Sequence, residues 1–154
     1  MYAERRSMKI FFNVVMIGIL LKIAWEDFRS RRIRDRMLIL LLAAGLWNRF
    51  GYGEMQGILW ESVAGILSVS AGMILICLWK PGCFGGGDIK LMAVSGFLLG
   101  WEKNLDAFFA GMLFAGIFCI WMLAAGKIDR KSKIALGPFL CTGLILKILC
   151  GCSG

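Results

Sequence analysis

Two aspartates stand where an ionisable group has most to do in an otherwise apolar chain. Asp27 closes the first apolar run, in Trp25-Glu-Asp-Phe-Arg29, and Asp88 opens the fourth, directly after Phe84-Gly-Gly-Gly87. A charge at membrane depth is costly and is by default a functional hypothesis. Two apolar runs separate the two residues. An even number of crossings returns a chain to the face it left, so both carboxylates belong on one face at similar depth. Carboxylates that share a site hold one proton between them; one oxygen can then activate a water while another protonates a carbonyl. That is the chemistry of an aspartic peptidase. The glycines Gly85, Gly86 and Gly87 remove side chains from the turn and allow positive φ, so that a substrate backbone can approach Asp88.

Each aspartate also has a plainer reading. Asp88 can be an N-cap after a glycine-rich turn. Asp27 can pair with Arg31 one helical turn later, a contact worth roughly 0.2–0.5 kcal/mol when exposed. Taken singly, these readings are the commoner ones. The shared face moves the balance toward catalysis, and spacing alone leaves the two readings open. The other carboxylates fit a site less well. Glu4, Glu54, Glu61, Glu102 and Asp106 fall on the opposite side, and Glu26, Asp35 and Asp129 read as interfacial or loop charges.

Few other catalytic tools exist. The chain has no histidine, which excludes a Ser-His-Asp triad, a Cys-His pair, a zinc site of the H-E-x-x-H type and any imidazole relay. Its six cysteines, Cys77, Cys83, Cys119, Cys141, Cys150 and Cys152, contain no C-x-x-C. That spacing argues against a zinc knuckle or a disulfide framework. Cys150 and Cys152 either form a strained pair or remain free. No metal, cofactor or nucleic acid is implied.

The elements that must position the aspartates are those of a membrane protein. Of 154 residues, 59% are hydrophobic, and the mean hydropathy is +0.76. This composition is unlike that of a soluble enzyme. Six apolar segments, roughly 9–25, 37–50, 58–79, 89–101, 105–126 and 134–150, use nearly every residue. The expected fold is an all-α polytopic bundle of about six transmembrane helices in a single domain, 1–154. A span needs about 20 apolar residues to cross a ~30 Å core. The second and fourth segments are therefore short and imply tilt, thinning or partial burial. The first is no cleavable signal, because Glu26, Asp27 and Arg29 follow where small residues would be needed.

Charge orients the bundle. Five arginines between Arg29 and Arg36, four Lys/Arg between Gly126 and Lys133, and Lys80, Lys90 and Lys22 place twelve of the eighteen cations at one face. The odd-numbered connections are then cytoplasmic and both termini outside, a reading that the basic N-terminus opposes. Most of the arginine run serves as a solvated loop against anionic headgroups. Small residues recur every fourth position at Ala64, Ser68 and Gly72 and at Ala107, Gly111 and Ala115, and are expected to be helix-packing faces rather than sites.

At these residues the sequence resembles a family. Gly85-Gly-Gly-Asp88-Ile-Lys-Leu is similar to the G-x-G-D segment of type IV prepilin peptidases, where a hydrophobic residue, Lys and Leu follow. Asp27-Phe-Arg-Ser-Arg-Arg-Ile33 resembles the family's first motif, an Asp six residues before Ile-Pro-Asn, and Leu136-Gly-Pro-Phe-Leu140 its C-terminal Gly-Pro-Phe element. Here Ile33-Arg34-Asp35 replaces Ile-Pro-Asn, and Asp35 can still cap the second helix. The resemblance runs from residue 27 to about residue 143. It implies a membrane aspartic endopeptidase of the bacterial cytoplasmic membrane that removes the basic leader from prepilins or pseudopilins, with lipid as its surroundings. Asp27 and Asp88 would be the catalytic pair, Gly85 and Gly87 would shape the loop, and Lys90 would orient Asp88 or support the site. Longer members carry a zinc-type cysteine cluster and N-methylate the product. This chain resembles the short, peptidase-only form, without methyl transfer, that serves tight-adherence pili or competence pseudopili. The alternatives are another G-x-G-D intramembrane protease of preflagellin type, or a non-enzymatic membrane subunit of a pilus assembly.

Overall fold

The computed structural model describes residues 2–30, 33–50, 58–126 and 135–152, and all regular structure within them is helical. Six helices follow in order: α1 (Tyr2–Ser30), α2 (Asp35–Phe50), α3 (Ile58–Trp79), α4 (Gly86–Leu99), α5 (Trp101–Ala124) and α6 (Gly137–Cys152). They match the expected six-helix, all-α architecture. The fourth and fifth segments meet differently from the expectation: α4 stops at Leu99 and α5 starts at Trp101, with Gly100 alone between them at φ 83°. Only glycine adopts that angle without strain.

Local chemistry explains the helix ends. Pro81, which cannot continue a helix, and Gly82 at φ 87° end α3. Gly126 at φ 65° ends α5, its N–H bonding to the Leu123 carbonyl at 3.1 Å. Pro138 sits in the first turn of α6, where its missing N–H costs no intrahelical bond.

The helices form a ring in the order α1, α2, α4, α3, α5, α6, with α4 also touching α5 and α6. Among the described residues α1 does not pack on α4 directly; α2 and α6 lie between them. Met16, Leu20 and Ile23 of α1, Leu38 and Leu41 of α2, Val69 and Met73 of α3 and Leu91 and Met92 of α4 are buried together with Leu140, Leu144 and Ile148 of α6. Outside, Trp60, Leu67, Trp79, Phe109, Leu113 and Ile120 are exposed. Helices α3 (from Trp60) and α5 are long and apolar enough to cross a membrane. An apolar exterior is what lipid requires, and in lipid association rests on close packing and hydrogen bonds.

Close packing is carried by glycine. A Cβ on Gly65 of α3 would lie 2.7 Å from the Gly96 carbonyl carbon of α4, and one on Gly143 of α6 2.9 Å from the Gly111 nitrogen of α5. The Ala107, Gly111 and Ala115 stripe is buried as expected. The α3 expectation needs correction: Gly72 faces open space and the packed face is Ser62, Gly65, Val69 and Met73. Asn104, wholly buried, ties three helices. It accepts from the Ser95 hydroxyl at 2.7 Å and donates to the Met92 carbonyl at 3.1 Å and the Gly65 carbonyl at 3.4 Å.

Candidate active site

The end of α1 and the starts of α2, α4 and α6 meet at one end of the bundle, and both aspartates lie there. Asp27 is 6% exposed and Asp88 8%. Each lies just beyond an apolar run, 9–25 and 89–101 respectively, at the mouth of the bundle.

Asp88 is not the N-cap of α4. Gly85 is, with φ −72° and ψ 141°, and its carbonyl accepts from the N–H groups of Asp88 at 3.0 Å and Ile89 at 3.3 Å. The Asp88 carboxylate in turn accepts from the Gly85 N–H. This is the returning half of a capping box, with the acidic residue at the third helical position. Burial, and then the charge of Asp27, push the Asp88 carboxyl up from 3.8 to about 6, against the Gly85 hydrogen bond. The two carboxylates therefore act on each other, as two members of one site must.

The glycines work by their size. None of Gly85, Gly86 and Gly87 has the positive φ that the sequence suggested. A Cβ on Gly85 would lie 3.1 Å from Asp88 Oδ2, and one on Gly87 2.9 Å from Ile33 Cβ. Gly86, between them, faces open space. Ile33, between α1 and α2, is thus seated directly on the glycine turn.

Asp27 is held from another helix. Its carboxylate accepts from the N–H of Gly137, the first residue of α6, and burial raises its pKa against that bond. Pairing with Arg31 falls outside the described residues. The neighbouring Glu26 pairs with Arg34 at 3.5 Å. One turn beyond Gly137 along α6, Cys141 is wholly buried within electrostatic reach of both aspartates.

Lys90 does not orient Asp88. Its ammonium donates to Asp35 at 2.8 and 3.1 Å across an exposed pair. With Ile33 on Gly87, that pair fastens the α1–α2 connection to α4. Asp35, read from sequence as a loop charge or cap, is the first residue of α2 and the partner of Lys90. Gly137 had no assigned role in the sequence reading. The clue to it is a Gly-Pro pair opening a helix, in which the one residue lacks a side chain and the other an N–H.

Among the described residues no cluster of His, Cys, Asp and Glu is fit to hold a metal ion. The described cysteines Cys77, Cys83, Cys119, Cys141 and Cys150 are free thiols; a pairing through Cys152 lies outside the described side chains. The arrangement offers two buried carboxylates, each accepting a backbone N–H and each raised by burial, with Asp88 raised further by the charge of Asp27, beside a glycine that faces open space.

Residues 14–120 match the type IV leader peptidase family. Over 150 residues the chain is 30% identical to a "Prepilin leader peptidase/N-methyltransferase" of Bacillus subtilis, covering 96% of this chain and 58% of that protein. Proteins of the same name in Legionella pneumophila and Escherichia coli are 27% and 29% identical, over 90% and 79% of this chain and 50% and 55% of theirs. The chain thus spans between half and three fifths of the length of these relatives. No solved structure matches it. Sequence match and helical architecture agree: this chain belongs to the type IV leader peptidase family.

Proposed function

We propose that the protein is an aspartic endopeptidase that cuts the basic leader from prepilin-like or pseudopilin precursors, with Asp27 and Asp88 as its catalytic pair. The observation that carries this reading is the burial of the two aspartates at one end of the bundle, close enough for one charge to act on the other carboxyl. In the productive state Asp88 holds the proton and Asp27 is ionised. The Asp27 carboxylate takes a proton from a water as its oxygen attacks the scissile carbonyl. Asp88 donates to that carbonyl oxygen; as the tetrahedral intermediate collapses, the departing amine takes the proton that Asp27 received from water and Asp88 recovers a proton from a hydroxyl of the intermediate, leaving a carboxylic acid and restoring the pair. Seating an apolar substrate helix over the pair removes water and strengthens the hold of Asp88 on its proton.

The site faces the cytoplasm in this reading. Its end of the bundle bears the odd-numbered connections and with them twelve of the eighteen cations, as the positive-inside tendency requires. Both termini are then outside. Peptidase action alone is proposed for this chain, none of whose cysteines has C-x-x-C spacing.

The test uses purified protein in lipid vesicles with synthetic precursors that carry a basic leader and an apolar helix. Wild type should release the leader, while Asp27→Asn and Asp88→Asn accumulate normally and release none. Cleavage by either variant would refute the pair. A wild type that spares these precursors but cuts within a transmembrane helix would favour the preflagellin-type alternative. A wild type that cuts neither would favour the non-enzymatic one.

A further inference from the structure

The catalytic reading leaves the start of α6 without a function, although Gly137 lies directly against Asp27. A Cβ built on Gly137 would lie 2.8 Å from the Asp27 carboxyl carbon and 3.2 Å from its Cβ, and closer still to Oδ2. No side chain fits there unless Asp27 moves. The rest of the turn is arranged around the same contact. Pro138 has no N–H to offer, and the N–H groups of Phe139 and Leu140 both turn back to the Leu136 carbonyl at 3.1 Å. The Gly137 N–H instead meets the carboxylate, at the positive end of the α6 dipole. One turn on, Cys141 on the same face of α6 is wholly buried.

We propose that Gly137 is a positioning residue: its N–H aims the Asp27 carboxylate at the reacting centre, and its missing side chain is the space that carboxylate occupies. The proposal rests on the peptidase reading for its kinetics and on the contact alone for its energetics. Gly137 touches no substrate; it acts through Asp27. Displacing a catalytic group by about 1 Å can cost on the order of a hundredfold in rate, and a methyl group at this distance forces a shift of that size.

The experiment compares Gly137→Ala with Gly143→Ala. The second places an equally unwelcome methyl between α5 and α6, against the Gly111 nitrogen at 2.9 Å and the Ala107 carbonyl carbon at 3.2 Å, six residues along the helix from the pair. With a prepilin-like precursor, Gly137→Ala should lower kcat on the order of a hundredfold and leave KM within about twofold. Gly143→Ala should lower the melting temperature while the folded enzyme keeps kcat within about twofold. Thermal unfolding of Asp27→Ala with and without Gly137→Ala supplies a measurement independent of activity. Truncating Asp27 makes room, so adding Gly137→Ala should depress the melting temperature less in that background than in wild type. Wild-type kcat in Gly137→Ala, equal kcat losses in the two glycine variants, or additive melting shifts would each overturn the proposal. If wild type cleaves no precursor the peptidase reading fails, and the melting comparison still decides whether Gly137 and Asp27 are coupled.

Discussion

Asp88→Asn should kill the enzyme and stabilise it, and the stabilisation should depend on pH. Asparagine keeps the shape of the side chain and can still accept from the Gly85 N–H, but it carries no charge to bury. In the native protein the carboxyl is pushed from 3.8 to about 6, first by burial and then by Asp27. A folded-state pKa above the unfolded one disfavours the fold wherever the unfolded chain ionises first. The contribution is neutral below about 4, grows as pH rises, and levels off above about 6. At 1.36 kcal/mol per tenfold change, the ionised carboxylate costs at most about 3 kcal/mol near pH 7.5 and about 1 kcal/mol near pH 4.5. Asp88→Asn removes this cost. Unfolding by titrated denaturing detergent, followed by the fluorescence of the six tryptophans, should show the variant more stable than wild type by up to about 3 kcal/mol near pH 7.5, with the gain falling by about 2 kcal/mol near pH 4.5. A gain that is absent, or the same at both pH values, would refute a desolvated Asp88 facing Asp27.

The same pair predicts a bell-shaped pH dependence of leader cleavage. For kcat/KM the alkaline limb should fall with a midpoint near 6, and the acid limb should lie above 3.8 because burial raises Asp27 as well; a rate that rises with pH to a plateau would point to a single base. Asn104→Leu removes the three bonds that tie α5 to α3 and α4, although Ser95 keeps its bond to the Met92 carbonyl and the Gly65 carbonyl its bond from Ser68, and should lower stability by about 1–2 kcal/mol in the same detergent titration, with an unchanged kcat in the folded fraction. Lys90→Met breaks an exposed pair with Asp35 and should cost under about 1 kcal/mol; a cleavage loss comparable to that of Asp88→Asn would mean that Lys90 acts on the site directly. Cys83 is exposed at the aspartate end and Cys150 at the C-terminal end of α6. In variants keeping one of these thiols alone, impermeant maleimide on intact cells should label Cys150 and spare Cys83 until the membrane is opened. The reverse pattern would turn the site outward.

How much was legible in the sequence depended on what each residue had to do. The six helices were readable because apolar runs interrupted by Pro81-Gly82 or Gly126 leave little choice. The two aspartates were readable only as a pair: each alone has a plainer role as cap or ion pair, but two intervening apolar runs return both to one face. The azimuth of α3 was not. With lipid outside and apolar side chains inside, both faces of that helix are oily, so small residues at Ala64, Ser68 and Gly72 resemble a packing stripe as well as Gly65 does. The glycine turn was located but misread: loops suggest dihedral freedom, whereas here Gly85 and Gly87 are small because Asp88 and Ile33 press on them. Long-range partners were beyond sequence altogether. Nothing near Lys90 announces Asp35, and nothing near Asp27 announces Gly137; only the packing of α1, α2, α4 and α6 brings them together.

Helix α4 has 14 residues, about 21 Å at ~1.5 Å per residue, against a hydrocarbon core of about 30 Å. Its far end is fixed, because Gly100 gives it no slack before α5 and Asn104 binds it to α3 and α5. Its two ends therefore cannot both reach the surfaces of a flat bilayer of that thickness, and lipid beside a short helix thins to meet it. That shortfall makes α4 a local pinch in the membrane. In the proposed orientation, the pinch would draw headgroups and water inward to the glycine turn, where a polypeptide passes from charged to oily residues.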